Sequence, residues 1–302
     1  MPMQSQNFAD LLDPVFRKIF FDAVGLKEYP AIVTKLFHEQ TSTKGTEKDS
    51  GVVGFGYVPT VNENASITYD TPVQAFDYTY THKVHALGYK ISRILWDDDQ
   101  HMTMRKYPQA LGRSMRTTME FDGANIFNRA ETAAYTYATG KTLLASDHPN
   151  ASSGTQSNKL TTAADLSATS WKQAKIDIAN ITTSEGLPAM LTPKYLVLPT
   201  ELDWDSQILF NSTLDPDSAN NAINPASNDG IERVIWKGYL TDPDAWFIVM
   251  DDHQFNWIWR DRITHQNTND FDTDAAKFKI RARWSLGCSD NPIYSVFGSM
   301  GG

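Results

Sequence analysis

The chain has 302 residues, 41% of them hydrophobic, one cysteine and a formal net charge of -9. That length buries a sizeable core as one large domain or two modest ones. The acidity argues against a general nucleic-acid binder, which needs a basic stripe to release counterions, and suits a surface that stays near nucleic acid without sticking to it. A single Cys288 excludes an intrachain disulfide and any Cys-based zinc cluster, which points to a reducing compartment. No apolar run reaches membrane-spanning length, and the N-terminus lacks the basic start and apolar core of a signal peptide, so a soluble, cytosolic product is expected.

Residues 1 to 12 are polar apart from a short apolar approach, and Asp13-Pro14 reads as an N-cap followed by proline at the first helical position. The helix predicted behind it carries Val15, Phe16, Ile19, Phe20 and Val24 and stops at Gly25. Ala31 to Phe37 adds a second apolar patch. Two readings of this arm stand side by side: it covers the chain's own core, or its aromatic anchors dock on something else. From Gly51 to about Tyr80 the pattern is that of a long hairpin. Val52, Val53, Phe55, Tyr57 and Val58 lie on one limb, Ile67, Tyr69, Val73, Phe76, Tyr78 and Tyr80 on the other, with polar 59–66 between them. Its faces are too apolar for solvent and too polar for a core, which suits a projecting arm lying on a neighbour. Val84 to Ile94 returns as a strand.

Asp97-Asp98-Asp99 invites a metal hypothesis, but acids ahead of a helix complement its dipole and metal-binding loops space their oxygen donors, so no metal is assigned. The following helix is predicted from Tyr107-Pro108 to about Glu131. Its apolar stripe is Tyr107, Leu111, Met115, Met119, Ile126 and Ala130, and Gly112 and Gly123 weaken it enough that tertiary packing must hold it.

Residues 165 to 250 are the most clearly punctuated stretch. Trp171, Ala174, Ile178 and Ile181 predict a helix over 169–182, capped by Ser167 or Thr169, and Tyr195 to Leu198 predicts a buried strand ended by Pro199. Thr200 is expected to cap the next helix, which buries Leu202 and Leu209. A long flexible loop is expected over 212–230, then strands at Ile231 to Trp236 and Trp246 to Met250 around the turn Asp242-Pro243-Asp244. The last fifty residues are β-rich: Phe255, Trp257 and Trp259 alternate, as do Phe278, Ile280, Ala282 and Trp284, with a final strand at Ile293 to Phe297. A polar loop is predicted over 264–274. The opposite face carries a basic ladder of Lys277, Lys279, Arg281 and Arg283, with Arg260 and Arg262 at the end of the preceding strand. Pairing with acidic segments of a neighbouring copy explains that ladder as well as nucleic acid does, and agrees better with the net charge.

Catalytic motifs are missing. The sequence has no Gly-x-Ser-x-Gly elbow, P-loop, Gly-x-Gly-x-x-Gly or His-Glu-x-x-His. His148, between Asp147 and Pro149, is read as a loop histidine satisfied by backbone carbonyls, and Asp251-Asp252-His253 as a turn. No catalytic residue, cofactor site or metal site is assigned.

The ordered series of Asp97-Asp98-Asp99 before a long helix, His148-Pro149 with a Ser/Gly/Asn stretch behind it, Leu187 to Pro199, Tyr239-Leu240-Thr241-Asp242 before Ala245-Trp246-Phe247, and Arg-x-Arg in the final strands resembles the major capsid proteins of tailed bacteriophages with the HK97-like fold. The resemblance spans nearly the whole chain. It implies an α+β fold with an N-terminal arm at 1–45, an extended E-loop at 46–85, a peripheral domain with the spine helix at 86–164, an axial domain at 165–250 and peripheral C-terminal strands at 251–302. It also implies a non-enzymatic shell subunit that assembles with itself into hexamers and pentamers around packaged DNA, in the virion after assembly in the host cytoplasm. Scaffolding, portal and decoration proteins are the further partners expected, and no membrane.

Some relatives cross-link a lysine of the E-loop, yet Lys is absent from Asp49 through His82, so non-covalent assembly is expected. The short arm is also expected to leave no room for a fused scaffolding segment, making scaffold and any protease separate products. An encapsulin-like nanocompartment shell and a soluble enzyme using His148 or His253 are the alternatives.

Overall fold

The computed structural model describes residues 8–25, 31–92, 94–95, 103–152, 154–214, 223–270 and 275–302. Its organising element is α3 (Lys106–Asn128), a 23-residue helix that buries Leu111, Met115, Met119, Ile126 and Phe127 along one side. Around it lie two four-stranded sheets. The first has the order β1 (His38–Thr41), β10 (Phe255–Asp270), β11 (Ala275–Cys288), β4 (Lys83–Ser92), with β1 parallel to β10 and the other pairs antiparallel. The second has the order β12 (Val296–Ser299), β9 (Trp246–Met250), β7 (Pro193–Leu198), β8 (Glu232–Ile235). Two-stranded pairs complete the set: the hairpin of β2 (Thr46–Val52) with β3 (Gln74–Thr81), and the short β5 (His148–Pro149) with β6 (Thr155–Gln156).

The predicted alternation on the C-terminal strands fills the core. Trp257, Trp259 and Trp284 are all buried, with Trp257 stacked on Trp284 at 5.3 Å between centroids. Strand β7 sits centrally because four successive apolar residues suit burial on both faces. Its Val197 packs with α3 and the tryptophans, while Leu196 and Leu198 face α4 (Ala168–Ala179) and α5 (Asp203–Asn211).

The elements depart from the sequence reading in several places. Helix α1 runs Phe8–Val24, so Asp13-Pro14 lies inside it and not at its start. The N-terminal arm covers its own body: Phe16, Phe20 and Ala23 are buried, and α1 and the short α2 (Ile32–Leu36) pack on α3. Helix α3 ends at Asn128, one turn early, and α4 ends at Ala179, although Ala130 and Ile181 beyond them are still buried. Thr200 does not cap α5; a turn in which the Thr200 carbonyl accepts the Asp203 N–H precedes it, and the N-cap is Leu202. Residues 264–270 belong to β10, paired with β11 as far as Asp270↔Ala275, and the His265 ring there turns inward against Phe20 and Phe278. The last strand, β12, pairs with β9 and joins the sheet of residues 193–250. Within the expected loop, Leu214 bridges Ile223 and Pro225–Asn228 forms a 3-10 turn. Residues 215–222 and the acids Asp97-Asp98-Asp99 lie outside the described residues.

Both glycines of α3 mark close crossings. A Cβ on Gly112 would stand 2.7 Å from the Phe20 carbonyl oxygen and 2.8 Å from the Ala23 Cβ, and one on Gly123 would stand 2.6 Å from Val33 Cγ2. Helix propensity is given up there for backbone approach. Gly112→Ala is therefore expected to destabilise the protein by about 1 to 3 kcal/mol through overpacking, outweighing a propensity gain of at most about 1 kcal/mol. Urea denaturation checks the first figure, and limited proteolysis within α1 should accelerate.

Candidate assembly surfaces

The hairpin is anchored at its base and bare at its tip. Tyr78 stacks on Tyr137 and meets Tyr80 edge-on at 4.7 Å between centroids. Gly287 leaves Tyr78 its seat, since a Cβ there would stand 2.6 Å from the phenol ring and oxygen. Asn256 Nδ2 donates to the Tyr80 hydroxyl at 3.4 Å. Burial pushes the Tyr78 phenol up to about 12. Across the two strands, Lys48 pairs with Asp77 at 2.6 Å and Ser50 Oγ donates to it at 2.5 Å, which together with Gln74 holds the carboxyl down at about 2.

Beyond Val52 the ladder stops. Gly54, Gly56, Pro59 and Pro72 deny it continuous donors and extended φ values, and residues 53–73 carry no strand. Of the expected limbs, Val52 and Phe76 to Tyr80 lie in the paired strands, while 53–58 and 67–73 are joined only by the Val53 N–H bond to the Val73 carbonyl at 2.9 Å and the Gly56 N–H bond to the Asp70 carboxylate at 3.4 Å. Beyond the buried Val53 their apolar side chains face solvent: Val58 is 93% and Tyr69 90% exposed, and Phe55, Tyr57 and Ile67 are exposed too. A run of this size with no intramolecular cover marks a contact surface.

A second exposed set went unread in the sequence. Trp204 is 72% exposed on α5, with Ile208 one turn on and Leu214 and Ile223 beyond the helix end. The signal was present, since Trp204 and Ile208 are spaced four apart on the side away from Leu209 and Phe210.

The predicted histidines are structural braces. His148 is fully enclosed; its Nδ1 lies 3.1 Å from Thr139 Oγ1 and its Nε2 3.2 Å from Asn158 Oδ1. Asn158 Oδ1 also accepts the Ala145 N–H, while its Nδ2 donates to the carbonyls of Leu143 and Val296. That orientation leaves Nε2 as the donor and Nδ1 accepting from Thr139. The side chains of Thr139 and Asn158 thus brace the ring, with the Leu143 backbone carbonyl as a further partner of the kind expected. His253, behind a turn at Asp251-Asp252 as read, is buried and stacks on His38 at 4.5 Å. Burial pushes both His148 and His253 down to about 4. Each contributes stability that is present above about pH 6.5 and lost as pH falls toward 4, because only the unfolded chain takes up the proton in that window. The two rings have separate partners, Thr139 and Asn158 for His148 and His38 for His253. Cys288 is likewise buried, its thiol pushed up to about 12. Among the described residues no three His, Cys, Asp or Glu side chains gather as a metal set.

One polar cluster that sequence reasoning missed ties the arm to the helix. Glu120 is wholly buried, 2.8 Å from Arg116 Nη2, and accepts from the Val33 N–H at 3.3 Å and Trp236 Nε1 at 3.1 Å. Burial raises its carboxyl to about 7 against the pull of Arg116. The clue was an Arg and a Glu four apart, each adjoining a methionine of the apolar stripe.

What the fold offers, then, is extended contact surface. The family model for phage capsid protein matches residues 77–293, more than two thirds of the chain, and the chain belongs to that family. Among solved structures, the capsid of cyanophage P-SCSP1u superposes with a TM-score of 0.60 at 11% identity, over 88% of this chain and 86% of that one. The bacteriophage PhiM1 mature capsid gives 0.58 at 8% identity, over 87% and 84%. The bacteriophage JBD30 capsid gives 0.57 at 14% identity, over 68% and 91%. No curated protein sequence matches. The α+β, HK97-like capsid fold implied by the sequence resemblance is the fold found, and the chain is a capsid shell protein of the virion.

Proposed function

We propose that this chain is the major head subunit of a tailed phage, assembling into hexamers and pentamers of an icosahedral shell around the genome. The observation that carries this reading is the exposed apolar tip at 53–73 on a hairpin whose base is firmly seated. Contacts that pass head to tail from copy to copy close into rings, and rings build a shell. In this reading residues 46–85 are the E-loop, 86–164 and 251–302 the peripheral domain, 165–250 the axial domain and 1–45 the arm. The exposed Trp204 set lies beside the segment expected at the capsomer axis. Scaffolding, portal and decoration proteins act with it during assembly in the host cytoplasm.

Assembly is non-covalent in this proposal, since no lysine lies between Asp49 and His82. Coexpression with the neighbouring phage assembly factors, followed by electron microscopy and a denaturing gel, tests both parts. Shells that run as a single monomer band are expected. A ladder of covalent multimers contradicts the second part, and absence of shells the first.

A further inference from the structure

The exposed row on α5 has a counterpart elsewhere on the same chain. Trp204 is 72% exposed and Ile208 stands one turn on, while Glu201 and Asp205, both exposed, flank the indole in the chain. Asp203 of the same turn is answered by Arg233 at 3.7 Å. Among the described residues no cation pairs with Glu201 or Asp205. The row is an aromatic knob rimmed by unanswered negative charge.

The counterpart is a cleft of about 480 Å³ between α4 and the 3-10 turn at Pro225–Asn228, lined by Trp171, Lys172, Lys175, Ile176, Pro225 and Ala226. Ile176 and Pro225 are exposed there. Asp229 accepts from Lys175 Nζ at 2.5 Å and from Trp171 Nε1 at 2.8 Å, and among the described residues no carboxylate pairs with Lys172. The cleft thus joins apolar walls to a positive rim, two lysines against the one aspartate.

Knob and cleft point apart. Helix α5 buries Leu209 and Phe210, and Phe210 meets Trp171 edge-on at 4.9 Å, so Trp204, on the opposite side of the helix, faces away from the cleft that Trp171 lines. They cannot meet within one copy. Two knobs meeting across a twofold axis would set Glu201 and Asp205 against their own likenesses. A knob in the cleft of the next copy brings opposite charges together, and a head-to-tail contact of that kind closes into a ring.

We infer that Trp204 of one copy inserts into the cleft beside Trp171 and Ile176 of the next, with Glu201 and Asp205 against Lys172. The inference deepens the ring-and-shell reading and rests on it for the second copy; the surfaces themselves supply which faces meet. A tryptophan seated in an apolar pocket under a charged rim is the usual form of an energetic anchor at an interface.

The test uses the full chain coexpressed with the phage assembly factors. Asp205→Cys and Lys172→Cys together, mildly oxidised, should give a ladder of linked copies on a non-reducing denaturing gel, ending at the closed ring, because the native Cys288 is buried and the chain's only other thiol. Each single cysteine variant should stay a monomer band. Trp204→Ala should raise the concentration at which rings form in sedimentation velocity by about thirtyfold, with the melting temperature of the unassembled chain unchanged. Should Trp204→Ala fail to fold, the cysteine pair, which keeps the indole, carries the test. Rings of the double cysteine variant without a ladder, linked pairs from Asp205→Cys alone, or Trp204→Ala that forms rings as wild type does overturns the inference. Wild type that forms rings but no shells counts against the shell reading alone, and wild type that forms neither overturns both.

Discussion

Replacing Tyr57, Val58 and Tyr69 together by aspartate is expected to leave a folded subunit that no longer makes shells. All three side chains are exposed in the single chain, so the subunit's own stability should move by no more than about 0.5 kcal/mol. Covered by a neighbour, each is worth about 1.5 to 3 kcal/mol. Five such residues, with Phe55 and Ile67, supply about 8 to 15 kcal/mol per hairpin before ordering costs of several kcal/mol are subtracted. Losing three of them and burying three carboxylates in their place removes the surplus. Sedimentation velocity separates the outcomes: slow species with the wild-type melting temperature are predicted, and normal particles would mean that the tip is not an interface.

Glu120→Ala acts on the other half of the problem, the stability of the subunit. It leaves the Arg116 guanidinium buried without its 2.8 Å partner and orphans the Val33 and Trp236 N–H groups at once. Breaking a buried pair in this way costs about 3 to 5 kcal/mol, a large part of the stability of a typical domain. An apolar replacement of both partners, Arg116→Met with Glu120→Leu, should recover part of the loss. It cannot recover all, because two buried donors still lack acceptors. pH gives an independent sign. The folded carboxyl is raised above its ordinary value of 4.5 to about 7, so the folded state holds the extra proton between those values. Its contribution therefore falls as pH rises through that window. Arg116→Met should extend that window to higher pH. Urea unfolding of the three variants at pH 5 and pH 8 checks magnitude and sign together.

What the sequence showed and what it hid divide along the range of the interaction. Ser167 caps α4 through a reciprocal pair with Ser170, and four apolar residues before Pro199 form a central strand, because these signals act within a few residues. Alternating tryptophans identified the C-terminal strands for the same reason. Asp13-Pro14 misled as a helix start because one lost hydrogen bond is tolerated where a helix is held by packing on α3. Residues 264–270 looked like a loop because their outward-facing Thr264, Gln266 and Thr268 are polar and the inward His265, which meets Phe20 and Phe278, is no apolar signal. Thr200 offered a cap that a turn pre-empted. The partners of Glu120 lie 87 and 116 residues away, and no local pattern announces that. Gly112 and Gly123 read as weaknesses until the crossings they permit were visible. The hairpin tip was apparent as a mismatch, too apolar to stand in water and with nothing in its own chain to lie on.

That mismatch is best tested by hydrogen–deuterium exchange across residues 53–73, comparing free subunits with assembled shells. Free chain should exchange there at nearly the unprotected rate, and assembly should slow it by orders of magnitude while the anchored strands at 74–81 change little. Equal exchange in both states would mean that sister molecules leave the tip uncovered, and the account of how this protein builds a shell would fail.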